Sequence, residues 1–112
     1  MEVNAMLDEQ FNKIVQALID IRNESLKCPI TDAGHKALMD KYNLFFMGSK
    51  FNTILSSELA HTLNEHFDIN ISLDDLNNMV PAVCGALKMS YEELQRLDKM
   101  DGKTAACFIY LH

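Results

Sequence analysis

The sequence predicts a single α+β domain, mostly α, with about five helices and a small two-stranded β element near the C-terminus. Three observations lead there. A chain of 112 residues, 48% hydrophobic, with only four Gly and two Pro, is the size of one compact core. Apolar residues recur at helical spacing through most of its length. Only the last stretch, Ala105-Ala-Cys-Phe-Ile-Tyr-Leu111, is a near-continuous run rich in strand formers. Within residues 1–112, a helical part is expected over 1–50 and a second part over 51–112.

The first helix is read from Leu7, Phe11, Ile14, Leu18 and Ile21, spaced 4, 3, 4 and 3, with Val15 and Ile19 widening the stripe. The same spacing serves a core helix or a seam between two chains. Cys28-Pro29 ends it, because the residue before proline is pushed out of the helical region. A second helix is expected from Thr31 or Asp32 as N-cap through Tyr42, and Leu44-Phe-Phe-Met-Gly-Ser49 closes this half with an apolar cluster and a glycine break. The next helix is expected to be capped by Ser56 or Ser57, with Leu59, Ala60, Leu63 and Phe67 on its apolar face.

Asp68-Ile-Asn-Ile-Ser72 alternates polar and apolar residues as a short strand does. A stronger signal follows. Ser72 and Asp75 have capping-box spacing, Ile71 and Leu76 fit the hydrophobic staple, and Leu73, Leu76, Val80, Val83 and Leu87 mark a buried stripe. Pro81 lies inside that stripe, and a bend or break is expected between residues 78 and 82. Ala82, Gly85 and Ala86 beyond it would let a neighbour approach closely. Ser90 with Glu93, and Met89 with Leu94, repeat the start signal and predict a further helix over Tyr91–Lys99. Asp101-Gly102 is a turn signal. The final strand then has residues 69–71, or another chain, as its expected partner.

No residue pattern points to catalysis. The four glycines stand singly, so no phosphate-cradling loop is present. His35, His61, His66 and His112 include no pair spaced i, i+4 for a metal. The stretch from Asp98 has Met100, Lys103 and Ile109 where a calcium loop needs an oxygen ligand, glycine and glutamate. Cys28, Cys84 and Cys107 are widely spaced and flanked by apolar residues, as reduced, buried thiols are. No cofactor and no metal are expected. No apolar run approaches the roughly 18 to 20 residues of a membrane span, and the first residues lack a secretory pattern, so a cytoplasmic protein is expected.

Net charge is −6, unevenly spread. Residues 51–84 hold Glu58, Glu65, Asp68, Asp74 and Asp75 and no Lys or Arg, whereas Lys27, Lys36, Lys41 and Lys50 form a weakly positive neighbourhood before them. A general DNA binder usually carries a basic stripe.

Ser57-Glu-Leu-Ala-His-Thr-Leu-Asn-Glu-His-Phe67, then Ile69-Asn-Ile-Ser72, the helix from Leu73, the Asp101-Gly102 turn and a terminal strand resemble the element order of winged-helix domains over residues 56–112. The resemblance implies that the helix from Leu73 stands at the recognition position. Two departures are expected: that helix would expose Asp74, Asp75, Asn77 and Asn78 where base readers usually carry cations, and the wing would be replaced by the Tyr91–Lys99 helix.

The leading expectation is therefore a small, acidic, non-catalytic regulator or inhibitor acting through protein contact, as a homodimer or on a larger partner, a nucleic-acid-binding protein being one candidate. Phage-encoded anti-CRISPR proteins resemble it in size and charge. Its interface candidates are Leu7, Phe11, Ile14, Leu18, Glu58, Glu65, Asp74 and Asp75. The alternative is a winged-helix transcriptional regulator, with Lys36, Lys41 and Lys50 on phosphates and Asn77 and Asn78 on bases. Direct DNA binding is the disfavoured reading.

Overall fold

In the computed structural model, residues 2–95 and 104–112 are described, with side chains from residue 9 to 94 and from 105 onward. The Leu7 side chain, the Asp101-Gly102 turn and the C-terminal part of the Tyr91–Lys99 expectation lie outside the described residues. Among the described residues, four helices and a three-stranded antiparallel sheet follow one another: α1 (Glu2–Lys27), α2 (Asp32–Tyr42), β1 (Thr53–Leu55), α3 (Ser56–Glu65), α4 (Leu73–Leu87), β2 (Ser90–Gln95) and β3 (Thr104–Tyr110). The class is α+β and mostly helical, with one helix fewer and one strand more than the sequence predicts.

Local signals place α1, α2 and the start of α4. Ile14, Leu18 and Ile21 are buried, and α1 stops at Lys27, just before Cys28-Pro29. Thr31 caps α2, its hydroxyl accepting the Gly34 N–H at 3.0 Å. Ser72 caps α4, accepting the Asp75 N–H at 3.1 Å, and the staple residues Ile71 and Leu76 are both buried. At the far end of α4, the Arg22 guanidinium of α1 donates to the Leu87 carbonyl at 3.1 Å, putting a cation at a helix C-terminus.

Four expectations give way. Residues 69–71 are not a strand: Ile69 and Ile71 turn into the core, while the Ile69 N–H donates to Leu63 O (2.8 Å) and the Asn64 amide to Ile71 O (3.2 Å), so loop contacts replace a ladder. Residues 90–95 form a strand, not a helix, because Ser90 and Glu93 sit opposite Tyr110 and Cys107 of β3 rather than capping a turn. The terminal strand has its partners inside the chain. The sheet order is β1-β3-β2, with Leu55 opposite Phe108 and Leu94 opposite Ala106. Finally, a break at Pro81 is not found, since α4 is continuous from Leu73 to Leu87. Pro81 is exposed, while Leu76, Val80 and Val83 bury the opposite face, and that burial offsets the cost of the N–H that proline lacks.

One core joins the layers. Inward residues Ile54, Cys107, Ile109 and Leu111 of the sheet region meet Leu59 and Leu63 of α3 and Leu76, Val80 and Val83 of α4, and α1 packs against α4. No helix among the described residues is long and apolar enough to cross a membrane.

Candidate protein-binding surface

The two faces of α4 differ in kind. Leu76, Asn77, Val80, Val83 and Cys84 are buried, whereas Asp74, Asp75, Asn78, Pro81, Ala82, Gly85 and Ala86 are exposed. A Cβ built on Gly85 would meet nothing within 4 Å, so this part of the surface is open. No Lys or Arg occurs within α4. Its exposed face therefore begins with two carboxylates at the N-terminal turn, where the helix dipole stabilises them, and continues as small, uncharged side chains.

Asn77 corrects the expectation that it lies on this face. It is 5% exposed and belongs to a buried polar relay. The Cys107 N–H donates to Ser56 Oγ (2.8 Å), the Ser56 hydroxyl donates to Asn77 Oδ1 (2.6 Å), and the Asn77 amide donates to Ala105 O (3.4 Å). The relay ties the first turn of α3 and the middle of α4 to β3. It also explains why neither serine caps α3: Leu55 is its N-cap, without a side-chain bond, and Ser56 is turned inward. Nothing in the local sequence marks Ser56 or Asn77 for burial, since both occupy positions where a cap or an exposed amide is the ordinary choice.

The other candidates are scattered. Ile14 and Leu18 are essentially unexposed in the chain's own core, so they are not offered to a second chain, and Phe11 is half-buried against that core. Glu58 is half-buried and accepts the Phe45 N–H at 3.3 Å, while Glu65 is exposed near the end of α3. Lys36 and Lys50 are exposed. Lys41 pairs with Glu24 at 3.0 Å and lies over the Tyr42 ring, which offsets its charge. None of these lysines is on α4, and Asn77, being buried, is not offered to a base.

Cys84, Cys107, His35 and His112 are taken up in packing and hydrogen bonds. Burial pushes the Cys84 thiol up to about 11 and also raises Cys107, so neither offers a thiolate near neutrality. His35 stacks on Phe51 with ring centres 4.2 Å apart and lies 2.6 Å from the Phe46 carbonyl, holding the chain before β1. His112 lies 3.0 Å from the buried Ser25 hydroxyl, and burial, with Lys50 and Arg22 nearby, lowers its pKa. An open groove of about 870 Å³ runs between α1 (Glu9, Asn12, Lys13, Gln16, Ala17) and Phe67-Asp68-Ile69.

No protein-family model, curated protein or solved structure matches this chain.

Proposed function

We propose that the chain is a non-catalytic, winged-helix-like module that regulates or inhibits a partner protein through direct contact. The observation that carries this is the exposed face of α4, which begins with Asp74 and Asp75 and has no Lys or Arg between Leu73 and Leu87, the nearest cations, Arg22 and the C-cap Lys88, lying at its far end. The element order supports the architecture: helix α2, strand β1, helices α3 and α4, then antiparallel β2 and β3, with β3 between the other two strands. A strand at 90–95 also removes the departure that the sequence alone implies at the wing.

In this arrangement α4 holds the position from which a recognition helix reaches a groove. Phosphates would meet two carboxylates there, and the overall charge of −6 opposes approach within a screening length of about 8 to 10 Å. A basic protein surface meets the same face favourably, and Glu65 adds to the acidic character of the second half. The element order also favours the second reading, a DNA-binding regulator, but the chemistry of α4 opposes it.

The test is capture of partners from nuclease-treated extract of the native host with the tagged chain. A protein partner retained after digestion, and lost when Asp74→Lys and Asp75→Lys are combined, is the expected result. Retention that disappears on nuclease treatment would overturn the reading.

A further inference from the structure

The sheet has a second face that the core does not use. Because side chains alternate along a strand, Cys107 and Ile109 point inward and Ala106, Phe108 and Tyr110 point outward. The register fixes their neighbours. Leu55 and Glu92 flank Phe108, Leu94 stands beside Ala106, and Thr53 and Ser90 flank Tyr110. Leu55, Phe108, Ala106 and Leu94 thus form a diagonal apolar stripe from one edge strand to the other. Leu94 is 38% exposed, and Leu55, Ala106 and Phe108 are half-buried without joining the core cluster.

We infer that this outer face docks an amphipathic helix of the partner protein, with a Lys or Arg of that helix set opposite Glu92. The inference rests on the protein-binding reading above and adds a second surface to it. Three strands about 4.8 Å apart make a face about 10 Å across, which one helix covers. Ala106, small and beside Phe108, leaves a dip in the stripe for an apolar side chain. Glu92 sits at the rim, opposite Phe108 and diagonal to Tyr110 on the same face. A second copy of this chain fits poorly, because the described residues of this face include no Lys or Arg, so a copy offers Glu92 no cation and only the like charge of its own Glu92. A cationic rim residue on a different protein turns that repulsion into a charge-assisted contact.

The experiment is calorimetric titration of the full chain with two synthetic amphipathic helices, one built from Leu and Lys and one from Leu and Glu. The Leu/Lys helix is expected to bind and the Leu/Glu helix not to. Leu94→Ser, at an exposed position that folding tolerates, and Phe108→Ser should each weaken binding about tenfold, as loss of an interface anchor does. Glu92→Gln should weaken it roughly threefold, while Asp40→Asn, the same loss of charge on exposed α2, should leave it within about twofold. Absence of binding would overturn the inference, as would equal effects of Glu92→Gln and Asp40→Asn. So would a dimer of the unmutated chain by sedimentation that Leu94→Ser dissociates, which would give the face to a second copy. A host partner that is captured through Asp74 and Asp75 but is indifferent to Leu94→Ser and Glu92→Gln would also overturn it and leave the protein-binding reading standing. Nucleic-acid-dependent capture would remove both.

Discussion

The inner and outer faces of α4 are made by alternating parts of one 15-residue helix, yet different demands shape them. Inside, Leu76, Val80 and Val83 are nearly unexposed, and the polar residue among them, Asn77, has its amide oriented by Ser56 and Ala105. Every group there is fixed by a neighbour, so the inner face specifies the fold. Outside, Asp74, Asp75 and Asn78 give way to Pro81, Ala82, Gly85 and Ala86, which are exposed and lie outside the core cluster of the described residues. The outer face is therefore free to be shaped by a partner. It even accommodates a proline that an inward position would not, because there the ring would displace a core side chain.

This contrast can be broken from the inside first. Asn77→Ala removes the acceptor of the buried Ser56 hydroxyl and the donor to Ala105 O, and should cost about 2 to 3 kcal/mol in denaturant unfolding. A loss under half a kcal/mol would mean the relay is dispensable. On the outside, Pro81→Ala gives α4 back an N–H directed at the Asn77 carbonyl. Removal of the interior-proline penalty, reduced by the greater freedom of the unfolded chain, should raise stability by about 1 to 2 kcal/mol. A fall in melting temperature would show that the proline ring makes a contact the helix needs. At the junction of the two faces, Ser72→Ala removes the cap on the Asp75 N–H and should cost about 1 kcal/mol. Ser72→Asp, which keeps an acceptor, should restore most of it.

The same contrast explains what could be read from sequence. The caps at Thr31 and Ser72 and the end of α1 before Pro29 are local events, set by residues within a turn of one another, and they were legible. Segment 90–95 was not. Tyr91 and Leu94 recur at a spacing a helix also uses, and only pairing with β3, about fifteen residues away, selects the extended form. β1 is three residues long and carries too few alternations to register. The α1 stripe is legible as apolar, but its spacing does not say whether Ile14 and Leu18 face their own core or a second chain, and the structure buries both at home. For the candidate surface, the first-turn placement and exposure of Asp74 and Asp75 are legible, because a carboxylate just after a cap announces its position. The burial of Asn77 and the outward Leu55–Phe108–Ala106–Leu94 stripe depend on partners distant in sequence, and strand register alone brings those residues together.

The central claim, that the outer face of α4 selects for protein and against nucleic acid, is tested most directly by fluorescence anisotropy of labelled duplex DNA. The unmutated chain and the combined Asp74→Lys, Asp75→Lys variant should be titrated at about 0.15 M salt, where charges beyond a screening length of about 8 Å no longer interact. The account predicts no binding tighter than micromolar for the unmutated chain, and a salt-sensitive gain for the variant as two repulsive charges become two phosphate contacts. Nanomolar, sequence-specific binding by the unmutated chain that Asn78→Ala abolishes would contradict it.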